Sequence, residues 1–264
     1  MKKLTIIAGN CILESLEISL KTVEFLLKQA NLYDFELIYK SSFKKDNRSS
    51  EAYYTGPLLD ESARIFKQLK DTYGVKLLTD FHHLYELDHE IVNCIDIIQV
   101  PAYLCMQTEL VMAIARTGKT VNIKKGQFLH PKDVGKVVKK VENTGNKDII
   151  LTERGTCFGY RDLVVDPRSF YILKKLGYPV IFDVGHSVRK YGVPSSDLEK
   201  GGAKKYVNTL ASAAIATGID GIFVEVHPNP PSALCDAATQ LSFDEFTKLI
   251  EVIIPIWKAI NSEK

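Results

Sequence analysis

The sequence lacks a CxxC pair, a strong excess of charge of either sign, and any apolar run long enough to cross a bilayer. It has five cysteines, at positions 11, 94, 105, 157 and 235. An odd number of unclustered thiols is typical of a reducing compartment and not of a disulfide framework. The formal net charge of +2 indicates neither nucleic acid nor a membrane surface. We therefore expect a cytoplasmic protein with no nucleic-acid or membrane partner.

The first residues, MKKLTIIAGNC, combine two lysines, an apolar run and a cysteine, as lipoprotein export signals do. The apolar run is shorter than the ~7–15 residues of a signal core. In addition, Asn10 stands where a small residue should precede the cysteine. Export is therefore the less favoured interpretation, and LTIIAG is better interpreted as a strand.

Eight short runs rich in Ile, Val and Leu punctuate the chain, and most end in a polar or charged residue. They are LTIIAG, FELIYK, KLLTD, DIIQV, TVNIKK, DIILTERG, PVIFDVGH and GIFVEVH. Such runs are typical of strands buried on both faces, and amphipathic stretches separate them. Eight strand–helix units predict a single (β/α)8 TIM barrel domain over residues 1–264, with its chemistry at the C-terminal ends of the strands. The alternative is an open doubly wound sheet, which the absence of a glycine fingerprint disfavours.

The segments between the runs contain helices and three long connections. Helical periodicity is clear over residues 15–30 and weak over 84–93. Ser242 and Glu245 predict a capping box at the start of the last helix, and Pro255 should kink or interrupt that helix. The long connections, expected to bind or cover a ligand, are 41–57, 155–167 and 187–203, the last predicted to be a mobile lid.

Four metal-binding residue types lie where neighbouring strands of a closed barrel end. Cys11, His186 and Glu225 end strands 1, 7 and 8, and Asp236 follows strand 8. A thiolate, an imidazole and two carboxylates suit a divalent ion such as Zn²⁺, Fe²⁺ or Mn²⁺ better than Mg²⁺ or Ca²⁺. The alternative is a buried thiol and a hydrogen-bonded histidine without metal. From these residues alone, both interpretations stay open.

Cationic residues end three other strands, namely Lys40, Lys124, Lys125 and Arg154. A cation at the end of a strand buried on both faces is costly unless it meets an anion. The set therefore indicates a phosphate or carboxylate ligand. Structural ion pairs with Asp80, Glu153 or Asp183 are the alternative.

The segment KSSFKKDNRSS, residues 40–50, is dense in hydrogen-bond donors. Asn47, Arg48 and the following serines would form a phosphate cradle, because a guanidinium, hydroxyls and backbone amides all bind phosphate oxygens. A solvated polar loop has the same composition. Two anion sites beside a metal suggest either two phosphorylated substrates being joined or one bisphosphate being cleaved.

Six long motifs occur in order along nearly the whole chain. They are KSSFKKDNRSS, IIQVPAYL, VNIKKGQF, LTERGTCFGYRDLVVD, DVGHS and FVEVHPNPPSALCDAATQL. With them the chain resembles the 3-deoxy-D-manno-octulosonate 8-phosphate synthases, also named 2-dehydro-3-deoxyphosphooctonate aldolases. The resemblance implies a (β/α)8 transferase, usually a homotetramer. Such an enzyme condenses phosphoenolpyruvate with D-arabinose 5-phosphate and water, releasing phosphate, and its product feeds the inner core of lipopolysaccharide.

The resemblance also implies roles for individual residues. A cysteine in the opening motif, here Cys11, marks the metal-dependent class, and the other implied metal ligands are His186, Glu225 and Asp236. The residues implied to meet phosphoenolpyruvate are Lys40, Lys45, Gln99, Lys124 and Arg154. Those implied to hold the sugar phosphate are Asn47, Arg48 and Ser49. His186 is also a candidate acceptor for the proton of the attacking water.

Four positions depart from the family pattern: Asp46 replaces the alanine of KANRSS, His83 the glutamate of DxHE, Met106 an arginine, and Gly185 a threonine. They bear on which sugar phosphate is used. They leave three alternative functions open. These are a synthase for another aldose phosphate, the sibling enzyme that uses erythrose 4-phosphate, and a paralogue that binds a sugar phosphate without turning it over. The sibling carries a KPRTS-type loop, which differs from KDNRSS here.

Overall fold

Eight parallel strands close into a barrel in the computed structural model, which describes residues 3–46, 53–157 and 162–262. The strands are β1 (Thr5–Gly9), β2 (Glu36–Lys40), β3 (Lys76–Asp80), β4 (Ile97–Val100), β5 (Thr120–Lys124), β6 (Ile149–Glu153), β7 (Val180–Asp183) and β8 (Gly221–Glu225). Each pairs with the next in chain order, and β8 pairs with β1. The predicted (β/α)8 barrel is confirmed, and the open sheet is excluded because both edges are joined.

Helices follow the strands. The α-helices of the described residues are α1 (Leu16–Tyr33), α2 (Leu59–Tyr73), α3 (Ile91–Cys94), α4 (Thr108–Arg116), α5 (Val134–Glu142), α6 (Pro167–Lys174), α7 (Val184–Ser187), α8 (Val207–Ala216) and α9 (Phe243–Asn261). The weak pattern over 84–93 becomes a 3₁₀ turn, Leu84–Asp88, followed by the one-turn α3. Among the described residues, none of the helices has the length and apolarity that crossing a membrane requires.

The last helix, α9, begins where the sequence predicts, and of the two effects predicted for Pro255 the interruption does not occur. Ser242 and Glu245 form the reciprocal capping box. The helix runs on through Pro255 without interruption. Pro255 lies on the exposed face, as does Glu251 one turn earlier, so water can bind the carbonyl of Glu251 that the proline leaves without a backbone donor.

The barrel strands contribute side chains to two of the apolar clusters. The larger one packs the outer strand faces against the helices. The smaller one consists of Ile7, Ile38, Leu78, Ile97, Ile181 and Phe223. Because side chains alternate along a strand, Phe223 shares its face with Glu225, the last residue of β8. The ring of Phe223 lies 4.1 Å from Nζ of Lys124 and 5.6 Å from Nζ of Lys40, so apolar packing ends directly beneath a layer of charge.

The long connections lie over the same end of the barrel. Thr156–Cys157 pairs antiparallel with Leu163–Val164 in the second connection. Isolated bridges join Asp162 to Lys190 and Arg189 to Gly202, which ties the third connection to the second and to its own far end. The mobility of the 187–203 connection stays a prediction.

Gly221 begins β8 and has no room for a side chain. A Cβ there would lie 2.0 Å from the Thr5 carbonyl oxygen and 2.7 Å from Cδ1 of Ile181. We expect Gly221→Ala to destabilise the fold by about 1–3 kcal/mol, as overpacking does. A thermal melt should show this as a lower Tm. Gly135→Ala in α5 is the matched control, because its one close neighbour is the terminal Cδ2 of Leu176 at 3.3 Å, a flexible side-chain end that has to move by only a few tenths of an ångström. Alanine also favours the helix by about 0.5–1 kcal/mol. Equal Tm values for both variants would contradict the packing argument.

Candidate active site

A cleft of about 440 Å³ opens where the barrel strands end. Its wall combines cations with metal-binding residue types, and the residues used below are Lys45, Asp80, Gln99, Lys124, Arg154, His186, Tyr191, Cys235 and Asp236. The barrel topology thereby gathers residues from most of the strand ends into one mouth, as this fold does in enzymes.

The four predicted metal ligands converge on one side of the cleft. Nε2 of His186 lies 3.8 Å from Oε1 of Glu225 and 3.7 Å from Oδ2 of Asp236. Sγ of Cys11 lies 3.6 Å from the same Oδ2. Two groups of donors, each within 4.8 Å of one another, thus share Asp236: one contains Cys11 and Cys235, the other His186 and Glu225. Cys235 was missed from the sequence, although it adjoins Asp236 in the chain.

His186 has the surroundings of a metal ligand. Its Nδ1 lies 2.9 Å from Oδ2 of Asp183, which leaves Nε2 facing the carboxylates. Ligating histidines usually have such a carboxylate on the other nitrogen. Burial lowers the pKa of His186, and Lys124 lowers it further against the opposing effect of Asp183. The imidazole is therefore neutral at pH 7, which is the form that binds metal.

The acidic donors are ionised despite their burial. Burial alone raises the pKa of Glu225, but His186, Lys40 and Lys45 hold it below its usual range. For Asp236, burial is likewise outweighed by His186 and Lys45, so its pKa is lowered. By contrast, burial and the neighbouring thiol of Cys235 raise the pKa of Cys11 well above its usual value. The two carboxylates and the neutral imidazole fit a divalent cation, and its arrival would release the thiol proton.

Two lysines at this end of the barrel lie within ion-pair distance of Glu225. Nζ of Lys40 lies 3.2 Å from Oε1 of Glu225, and Nζ of Lys45 lies 4.0 Å from the same atom. Burial lowers the pKa of Lys45, but Cys11, Asp80 and Glu225 together hold it well above the usual lysine value. The side chain of Lys45 is therefore protonated and positively charged in the cleft.

Lys124 and Arg154 lie in the cleft wall directly beside His186. Nζ of Lys124 is 3.5 Å from Nδ1 of His186, and Nη2 of Arg154 donates to the His186 carbonyl at 3.4 Å. Nζ of Lys124 contacts Oδ2 of Asp183 at 2.6 Å. Nη2 of Arg154 donates to the Tyr191 hydroxyl at 2.9 Å, and within the described part of the chain the buried Nε of Arg154 has no hydrogen-bond partner. Gln99 lines the same wall, with Oε1 accepting from Asn122 at 3.0 Å. These groups can bind an anionic ligand.

Lys125 does not belong to this set. Its ammonium group lies 3.3 Å from Oε1 of Glu153 and donates to the carbonyls of Gly126, Leu129 and Gly155. For Lys125 the structural ion pair is therefore the correct interpretation. Lys124 also forms a predicted ion pair, with Asp183, but unlike Lys125 it lines the cleft.

The departures from the family pattern separate into three kinds. Asp46 and His83 contact one another through Oδ2 and Nε2, so two of the departures form one pair. Gly185 has ordinary space for a Cβ, with its nearest neighbour, the Thr239 carbonyl, 3.8 Å away. The side chain of Met106 is exposed. The predicted phosphate residues Asn47, Arg48 and Ser49 lie outside the described residues.

Curated relatives match the chain over nearly its full length. It is 46% identical over 248 residues to the 2-dehydro-3-deoxyphosphooctonate aldolase of Trichlorobacter lovleyi, covering 94% of this chain and 90% of that one. It is 44% identical over 261 residues to the protein of the same name from Geotalea uraniireducens, covering 99% and 93%. The identity to the Geobacter sulfurreducens protein of that name is 42% over 261 residues, again covering 99% and 93%. The family model described as the DAHP synthetase I family matches residues 1–260, and the chain belongs to this family.

Proposed function

We propose that this protein condenses phosphoenolpyruvate with D-arabinose 5-phosphate and water, giving 3-deoxy-D-manno-octulosonate 8-phosphate and inorganic phosphate for the lipopolysaccharide inner core. The observation that carries the proposal is the combination of metal-binding residue types and buried cations at one cleft. The donors form two groups that share Asp236, one with Cys11 and Cys235 and the other with His186 and Glu225. The buried cations that line the cleft are Lys45, Lys124 and Arg154. The names of the full-length relatives support the same activity.

The reaction joins a nucleophilic carbon to an aldehyde. C3 of phosphoenolpyruvate attacks the aldehyde carbon of the sugar phosphate, and water adds at C2. The resulting hemiketal phosphate collapses by C–O cleavage and releases phosphate. Lys45, Lys124 and Arg154 would hold the phosphate and carboxylate of phosphoenolpyruvate throughout, so their contribution is orientation and electrostatic stabilisation.

We assign Cys11, His186, Glu225 and Asp236 to a divalent metal, Zn²⁺, Fe²⁺ or Mn²⁺. When bound, such an ion supplies Lewis-acid polarisation of the aldehyde oxygen. His186 itself is then a poor acceptor for the water proton, because Nδ1 is bonded to Asp183 and Nε2 faces the acidic donors. Its role is to bind the ion and to keep Asp183 and Lys124 in place.

The third long connection would exclude water from the cleft. Tyr191 is exposed and lines the cleft, where its hydroxyl accepts from Arg154 and from Nε2 of Gln127 at 2.8 Å. A ligand anion at Arg154 would therefore meet the Tyr191 hydroxyl as well. This arrangement supports a lid whose closure is linked to anion binding.

A homotetramer in the cytoplasm is the assembly and location that we propose, on the basis of the resemblance. Light scattering coupled to size exclusion tests the first. A second candidate function, condensation with another aldose phosphate, is favoured by one observation: Asp46 adds a carboxylate immediately before the predicted sugar-phosphate residues and is held by His83.

The substrate proposal predicts release of inorganic phosphate when the protein is mixed with phosphoenolpyruvate and D-arabinose 5-phosphate. Erythrose 4-phosphate should give far less, because it is one carbon shorter and the sugar must reach the phosphate residues and the metal ligands together. Ribose 5-phosphate has the same length and tests whether the configuration at C2 matters as well. A colorimetric phosphate assay across this panel measures the preference. Turnover with a different aldose phosphate would favour the second candidate, and none with any would indicate a paralogue that only binds.

The metal proposal predicts that a chelator abolishes phosphate release and that added Zn²⁺, Fe²⁺ or Mn²⁺ restores it. The reason is that the neutral imidazole and ionised carboxylates are arranged to hold a cation. Cys11→Asn is the informative variant, since asparagine occupies this position in the metal-independent class that the resemblance defines. We expect it to retain part of its turnover and to lose its response to the chelator. Undiminished turnover of the metal-free native protein would refute the proposal.

The anion wall predicts that Arg154→Lys raises the KM for phosphoenolpyruvate by roughly 10–100-fold, because a charge-assisted hydrogen bond is worth about 1.5–3 kcal/mol. The KM for the sugar phosphate should change much less. Arg168→Lys is the matched control, because Arg168 is exposed and pairs with Asp166 away from the cleft. Initial-rate kinetics with each substrate varied in turn measure both constants, and an equal rise in both KM values would argue against this assignment.

A further inference from the structure

The metal side of the cleft contains a second sulfur, from Cys235, to which the family resemblance gives no role. Its Sγ lies 2.8 Å from Sγ of Cys11, and both side chains are buried. Cys11, Cys235 and Asp236 form a donor group of their own, within 4.8 Å of one another. The donors of one tetrahedral ion are about 3.3–3.8 Å apart when its bonds are about 2.0–2.3 Å long. At 2.8 Å the two sulfurs are closer together than such donors are, so they can bind one ion after moving about 1 Å apart.

The buried side chain of Gln240 holds the backbones of Cys11 and Cys235 next to one another by hydrogen bonds. The backbone N–H of Cys11 donates to Oε1 of Gln240 at 3.1 Å, and Nε2 of Gln240 donates to the carbonyl of Cys235 at 2.7 Å. A single amide therefore bridges the end of β1 and the loop after β8. Because the bridge joins the two main chains, the approach of the sulfurs does not depend on side-chain rotation alone.

The backbone at Asp236 directs two consecutive side chains to one centre. Asp236 has φ +44°, in the left-handed region that non-glycine residues seldom adopt. In an extended segment, neighbouring side chains point to opposite sides. The turn at Asp236 breaks that alternation, so both Cys235 and Asp236 approach Sγ of Cys11, at 2.8 Å and 3.6 Å. Strain of this kind is retained where the surrounding structure imposes it, often at functional sites.

We propose that Cys235 is a second sulfur ligand of the divalent metal, beside Cys11, His186, Glu225 and Asp236. The inference rests on the proposed metal site, and it also predicts which metal ion that site binds best. Two soft donors favour thiophilic ions such as Zn²⁺ over Mn²⁺, for which oxygen donors are better suited.

Cobalt provides a test that does not depend on turnover. The metal-free protein is loaded with Co²⁺ under reducing, oxygen-free conditions, and the near-ultraviolet sulfur-to-cobalt charge-transfer band is recorded. We expect Cys235→Ser to lose about half of the band. Cys94→Ser is the matched control and should keep it all, because Cys94 is a half-buried thiol outside the cleft, in α3. An unchanged band in Cys235→Ser overturns the proposal.

A second measurement needs no variant and so does not depend on the folding of one. X-ray absorption at the zinc edge of the loaded native protein should show two sulfurs at about 2.3 Å. One sulfur overturns the proposal. The proposed function is judged separately, by phosphate release: an active enzyme with one sulfur refutes only the role of Cys235, and an inactive protein with two sulfurs refutes only the condensation.

Discussion

The mutual burial of opposite charges at the open end of the barrel is the constraint on which the site depends. A charge removed from water is tolerated only beside an opposite charge or strong hydrogen-bond partners. Lys40 contacts Glu225, and Lys124 contacts Asp183, with all four side chains almost completely buried. Removing one partner would leave the other uncompensated. The proposed metal ligands and the cations of the cleft are therefore parts of one electrostatic unit and not two independent sites.

The apolar interior of the barrel and this charged layer meet at Phe223. Its ring lies beneath the ammonium groups of Lys124 and Lys40, where the negative face of an aromatic ring attracts a cation. Two residues later on the same strand, Glu225 receives Lys40. The alternation of side chains along β8 thus connects core packing to the chemistry above it. Phe223 packs in the barrel interior, and its place on β8 also determines how far along the barrel axis Glu225 and the lysines above the ring lie.

Some features were predictable because they depend on local pattern. Runs of Ile, Val and Leu bounded by polar residues marked all eight barrel strands, and the capping box at Ser242 marked the start of α9. Pro255 did not interrupt that helix, because its position on the exposed face lets water replace the missing backbone donor. Lys125 resembled a ligand-binding cation in sequence, yet its partners are Glu153 and nearby carbonyls. Which direction a strand-end side chain takes depends on neighbours from other strands.

The sequence by itself determined the barrel, the strand ends at which reactive residues stand, and the family, because strand period and long motifs are local properties of the chain. Only the tertiary structure decided which of these residues meet. Closure of β8 against β1 brings Cys11 beside Cys235 across 224 positions of sequence, and the Gln240 amide joins their main chains. The pairing of Asp46 with His83 likewise needs the turn after β3 to fold against the segment after β2. Contacts of this kind depend on distances in space between distant segments, and no local pattern encodes those distances.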